Sequence, residues 1–152
     1  FQRRGDIDAV VHSHSCSMVA FSVSKAQNLV PVWHMAGFLG RNVSIFDTED
    51  KFGSETDLLI TDMEKASALA DCLVDSDVAL MRGHGATIYG RTLPEAVYRA
   101  IYAELNAQIL LNSAAMGTFK ALSVGECKAT VERISPQIGR AWDLWVREVE
   151  RD

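Results

Sequence analysis

The sequence predicts an α/β domain, and three observations predict it. Short apolar runs of strand length recur, as at Val78 to Met81 and Ala86 to Tyr89. Longer segments between them place apolar residues at helical spacing behind recognisable caps. The two kinds of segment alternate along 152 residues with no repeat, low-complexity stretch or Pro- or Gly-rich linker. That length suits one domain with a real core. The expectation is a single domain over residues 1–152, with about 118–152 forming a C-terminal helical tail.

Ile7 to His14 reads as a strand, because Ala9, Val10 and Val11 follow a Gly-Asp turn signal. Ser15 to Ser24 reads as a short helix, with Ser15 as N-cap and Met18, Val19 and Phe21 inward. Leu29 to Gly40 is apolar but interrupted by Pro31, Gly37 and Gly40, which predicts loop and a short helical turn. Val43 to Phe46 is a short strand. Thr56 to Val74 has helical spacing, with Leu58, Leu59, Met63, Ala66, Leu69, Ala70 and Leu73 on one face. Val78 to Met81 is a buried strand, Gly83-His84-Gly85 turns the chain, and Ala86 to Tyr89 is the next strand. Thr92 caps a long helix with Pro94 and Glu95 in its first turn and Gly117 as its stop. Ser123 and Glu126 form a capping box for a further helix. Pro136 begins or interrupts the last helical stretch, which carries Trp142 and Trp145.

The bulk numbers exclude several classes. With 48% hydrophobic and 23% charged residues the chain is an ordinary globular one. A net charge of −5, from 15 basic and 20 acidic side chains, argues against nucleic acid as a partner. It leaves room for an anionic small molecule, since one metal ion can dominate a local field. The longest apolar run, Asn28 to Gly40, is broken by Pro31 and His34, so no membrane span is expected. Phe1-Gln2-Arg3-Arg4-Gly5-Asp6 lacks the apolar core of a signal peptide. Cys16, Cys72 and Cys127 imply no disulfide framework, and a reducing, cytoplasmic setting is the simpler expectation. The chain opens without Met and enters a strand almost at once, which reads as a fragment whose domain begins upstream.

The histidines carry the chemistry. His12 and His14 are two apart in a strand, so both rings share one face. Two neutral imidazoles there suit a borderline divalent ion such as zinc. Spacing alone does not separate that reading from a pair of satisfied structural histidines. His84 lies between Gly83 and Gly85, glycines that allow a tight turn and the close approach of a ligand. Cys16 continues the alternation and reads as a small buried residue at a helix start rather than a ligand. His34, between Trp33 and Met35, is open to a functional or a buried structural role. Arg82, next to His84, either pairs with a substrate carboxylate or forms an ion pair at the surface or a subunit interface.

Four stretches, Val10-Val11-His12-Ser13-His14-Ser15, Pro31-Val32-Trp33-His34, Leu80-Met81-Arg82-Gly83-His84-Gly85 and the helix from Pro94-Glu95-Ala96, together resemble the class II aldolase/adducin family. The resemblance runs from the first strand to about residue 116. It implies a three-layer α/β/α fold around a mostly antiparallel sheet. It implies a divalent metal held by His12, His14 and His84, zinc first, with Mn2+ or Fe2+ as alternatives. It also implies a small-molecule substrate and a homo-oligomer, a tetramer in many members. Glu104 falls where the family carries an acid, which could fix an imidazole tautomer from behind the metal or could equally be a solvated helix charge.

Three departures bear on the chemistry. The family's acidic catalytic residue and phosphate-binding part would precede Phe1. The position after His34 holds Met35 where sugar-phosphate aldolases carry a catalytic Tyr, and Gly83 stands where they often carry Asn or His. The expected activity is therefore a metal-dependent lyase in which the ion acts as Lewis acid. It cleaves a carbon–carbon bond of a hydroxy-carbonyl or hydroxy-carboxylate, by retro-aldol reaction or decarboxylation. His34 is a candidate proton donor. The apolar Val32-Trp33-His34-Met35 and Phe38-Leu39 surroundings favour a decarboxylase of a hydroxylated aromatic acid. The competing classes are a non-catalytic adducin-like scaffold and an iron oxygenase on the same fold.

Overall fold

Strands β1 (Ala9–Ser13), β2 (Ser44–Phe46), β3 (Val78–Met81) and β4 (Gly85–Gly90) form one sheet in the order β1–β4–β3–β2 in the computed structural model, which describes residues 5–40 and 43–151. β1 and β3 both run antiparallel to β4, and β2 runs parallel to β3. The sheet is thus mostly antiparallel. β3 and β4 are buried along their whole length, as their unbroken apolar runs require. The stretch from Phe1 to Arg4 that opens the sequence lies outside the described residues.

Helices cover both faces. On one, Val78 and Leu80 of β3 and Ala86 and Ile88 of β4 pack against α1 (Cys16–Val23) and α4 (Leu93–Ala115) through Met18, Phe21, Tyr98, Ala103, Ala107 and Leu110. On the other, Ala79 and Tyr89 meet Ile7 and the Leu69, Cys72 and Leu73 side of α3 (Met63–Cys72) and its cap. This is the three-layer arrangement that the resemblance implies. The long helix starts at its Thr92 cap and ends before Gly117, whose φ of 126° only glycine adopts readily. Arg99 ties it to the sheet, bonding Asp77 at 3.1 Å, Glu95 at 2.9 Å and the Tyr89 carbonyl at 2.7 Å. α5 (Val124–Ile134) carries the expected capping box, and α6 (Ile138–Val149) follows a 3-10 turn at Ser135–Gln137. Both return to the body: α5 packs tightly on the 3-10 segment His34–Gly40, and Trp145 of α6 reaches the main core.

Four local points differ from expectation. The helix expected over 56–74 begins only at Met63, behind the Asp62 cap. Before it, Thr56 and Asp57 accept from the backbone N–H groups of Leu58 and Leu59, and Leu58 has φ of 64°, a left-handed value that ends any helix. A short helix not foreseen, α2 (Thr48–Phe52), lies between the Asp47 cap and Gly53. In α1, Met18 and Phe21 are buried, but Ser22 takes the third inward place while Val19 is only half-buried. Cys16, expected to be buried, is exposed.

Candidate metal centre

β1 delivers His12 opposite Thr87 of β4, and His14 follows just beyond the strand. His84 sits on the turn that joins β3 to β4. That turn is held from three sides: the His84 N–H donates to the Met81 carbonyl at 3.0 Å, the Gly83 N–H to Ser22 Oγ at 3.0 Å, and the Arg82 N–H to the Phe46 carbonyl at 3.0 Å. The two flanking glycines do different work. Gly83 holds φ of 66°, a turn conformation. Gly85 has no room for a Cβ, which would strike the Ser13 carbonyl and the His14 backbone. So Gly85 lets β1 approach closely and brings His14 to His84, rather than admitting a ligand itself.

The three rings converge through their Nε2 atoms. His14 Nε2 lies 2.9 Å from that of His12 and 3.1 Å from that of His84, and the candidate ligand atoms of the trio all fall within 4.8 Å of one another. Behind them, His12 Nδ1 donates to the Ala86 carbonyl at 3.1 Å and His84 Nδ1 to the Leu58 carbonyl at 2.8 Å. A carbonyl only accepts, so both Nδ1 atoms carry hydrogen. In the neutral rings the Nε2 atoms therefore present lone pairs, and a single proton on His14 Nε2 can point squarely at only one of them. A cation among the three accepts every lone pair at once. At a zinc–nitrogen distance of about 2.0–2.1 Å, ligand nitrogens stand about 2.9–3.4 Å apart between octahedral and tetrahedral angles. The donor set fits a divalent ion in chemistry, and the two nitrogen pairs that include His14 stand at that spacing. His12 and His14 are exposed and His84 half-buried, so one side of the trio faces solvent.

Electrostatics agree with that reading. Partial burial pushes the His12 imidazole below its ordinary pKa, His84 and His14 push it further, and the bond to Ala86 opposes them. A neutral ring is the ligating form.

The other candidates lie elsewhere. Arg82 Nε donates to Asp47 and its Nη2 to Glu49 at 3.0 Å, so its guanidinium is engaged within the chain. That pairing holds the Asp47 carboxyl below the usual range. Glu104 accepts from Gln108 at 2.7 Å, and its other oxygen is buried without a partner among the described residues. The recorded ring N–H bonds of His12 and His84 go to carbonyls, not to Glu104. His34 is exposed at the head of the 3-10 segment, edge-on to Trp33 with ring centroids 6.0 Å apart. It lines a groove with Met35 and Tyr98 that contains none of the three converging histidines. Among the six residues singled out from sequence, the structure brings three together. Sequence reasoning missed the residues that aim them: Leu58, Ala86 and Ser22. Only Ser22 left a signal, as a polar residue on the inward face of a short apolar helix.

Residues 1–111 match a family model described as the class II aldolase and adducin N-terminal domain. A curated relative, the decarboxylase tropJ of Talaromyces stipitatus, is 37% identical over 171 aligned positions, covering 99% of this chain and 64% of the relative. An aldolase II superfamily protein from Pseudomonas syringae superposes with a TM-score of 0.73 at 26% identity, over 99% of this chain and 58% of that one. L-fuculose-1-phosphate aldolase from Thermus thermophilus superposes with a TM-score of 0.58 at 29% identity, over 80% of this chain and 61% of the enzyme. The chain thus spans a little under two thirds of the relatives it matches.

Proposed function

Because the chain belongs to the class II aldolase and adducin family, we propose that it forms the metal-binding part of a divalent-metal-dependent lyase that decarboxylates a small hydroxy-carboxylic acid. The observation that carries this is the convergence of three Nε2 atoms, two of them turned inward by carbonyl bonds behind the ring. His12, His14 and His84 would hold the ion, with zinc as the proposed metal. Bound there, it supplies Lewis-acid polarisation of substrate oxygens, which suits breaking a carbon–carbon bond beside them.

The chain's own residues do the rest. The Ala86 and Leu58 carbonyls fix tautomer and ring orientation, so that no reorganisation is needed when the ion arrives. The solvent-facing side of the trio leaves room for a substrate with two adjacent oxygens. Decarboxylation is favoured over aldol cleavage on two grounds. The curated relative is a decarboxylase, and Met35 stands where a proton-transferring Tyr would serve a sugar-phosphate aldolase. Three converging imidazoles, two of them with tautomers fixed from behind, also serve no purpose in a scaffold.

The test is an assay of the protein that carries this chain, against hydroxylated benzoic acids and against sugar phosphates, before and after chelation. Carbon dioxide release that is lost on chelation and restored by a divalent ion supports the proposal. Turnover of the sugar phosphates alone overturns it.

A further inference from the structure

A second feature lies away from the histidine centre. A groove of about 650 Å3 runs between the 3-10 segment and the last two helices, and three arginines line it: Arg133 on α5, and Arg140 and Arg147 on α6. Arg140 and Arg147 are seven residues apart on one helix, which puts them on one face about 10 Å from each other. Asp143 is the one acidic side chain of the lining. Among the described residues no ion pair is recorded for any of the three arginines, and the recorded side-chain contact is an Arg140–Gln137 bond at 3.5 Å. The chain as a whole carries −5. Three guanidinium groups against one carboxylate, in one groove of an acidic protein, mark a place where negative charge is welcome. Met35, Ile134 and Leu144 give the same groove apolar walls.

We propose that this groove is a second binding site, for an organic anion: an oxyanion group held by Arg140 together with Arg133 or Arg147, on an apolar body laid against Met35, Ile134 and Leu144. Guanidinium recognises carboxylate and phosphate alike by paired N–H donors. The apolar walls distinguish an organic acid from the bare ion. The groove contains none of His12, His14 and His84, so binding at its arginines is read apart from binding at the three histidines.

The test is a titration of the full chain with 2-hydroxybenzoate, and separately with inorganic phosphate, at constant ionic strength, followed by backbone amide NMR. Saturable shifts at residues 133–147 are expected with 2-hydroxybenzoate and weaker binding with phosphate. The Arg140→Gln/Arg147→Gln variant should bind roughly tenfold more weakly or worse, since charge-assisted bonds are lost. These arginines are exposed, and an unchanged spectrum of the core amides establishes that the variant is folded. Shifts that never saturate, shifts confined to residues 12–14 and 84, or a variant that binds as well as the parent would overturn the proposal. Equal affinity for phosphate would overturn the organic-anion assignment.

Discussion

His84 Nδ1 donates to the carbonyl of Leu58 at 2.8 Å, and Leu58 presents that carbonyl from a left-handed backbone with φ of 64°. A leucine in that region carries strain of about 1–2 kcal/mol. The strain lies beside the candidate site, where it is offset by orienting the ring. Leu58→Gly should relieve it and keep the carbonyl, leaving zinc affinity within a few-fold. Leu58→Pro, whose ring fixes φ near −65°, should move the carbonyl and weaken zinc binding by about 10–100-fold. Chelator competition on the two variants measures both, and equal affinities would break the link between Leu58 and the ring.

His12→Ala and His84→Ala should each abolish stoichiometric divalent metal and turnover together. Elemental analysis of the purified variants checks this. Metal retained at one equivalent in either would remove that histidine from the ligand set.

Ser22→Ala deletes the acceptor of the Gly83 N–H, at a cost of about 1–2 kcal/mol in stability. Because that bond anchors the turn bearing His84, metal affinity should fall as well. An urea titration that shows the stability loss without any change in affinity would make Ser22 purely structural.

The Arg82–Asp47 pair has a defined pH signature. The Asp47 carboxyl is held below its ordinary value of 3.8, chiefly by the hydrogen bond from Arg82. A carboxylate with a lowered folded pKa contributes stability that is complete above its unfolded pKa and is lost as pH falls through the folded one. Arg82→Gln should therefore be less stable than the parent at neutral pH, and the gap should narrow as pH falls below 3.8. Denaturant titrations at a series of pH values read this, and a gap independent of pH would assign the cost to packing.

Asn106 is fully buried in α4, where its Oδ1 accepts from the Val32 N–H and its Nδ2 donates to the Val30 carbonyl, each at 2.9 Å. It clamps the loop leading to His34. Asn106→Leu leaves two buried backbone groups unsatisfied and should cost about 2–4 kcal/mol. A loss under 1 kcal/mol in equilibrium unfolding would show that the segment finds other partners.

What could be read in advance was local. The Thr92 and Ser123 caps, the Val78–Met81 strand and the Gly117 stop each depend on residues a few positions apart, and all are found in the structure. The stretch before Met63 has apolar residues at helical spacing, but the Thr56 and Asp57 side chains bond the local backbone and keep it from coiling. At the site, the histidines were visible as residue types, but their orientation was not. It comes from carbonyls of Ala86 and Leu58, 74 and 26 positions from the rings they hold. Any residue can lend a carbonyl, so no side-chain pattern announces it. Asn106 was hidden in the same way, as one polar residue on an otherwise amphipathic helix.

The pairing of β1 with β4 places His12 opposite Thr87. Side chains alternate along a strand, so a slip of one residue would turn His12 to the opposite face and carry His14, just beyond the strand, out of place with it. An ion that needs His84 as well as the strand pair can bind only the correct alignment. It then stabilises that alignment by RT ln(1 + [L]/Kd), about 4 kcal/mol at a thousandfold excess over Kd. A bound ion would thus act as a proofreader of assembly: it would add to the burial of Ile7 and Ala9 in favouring the one strand offset in which the chain is ready to work.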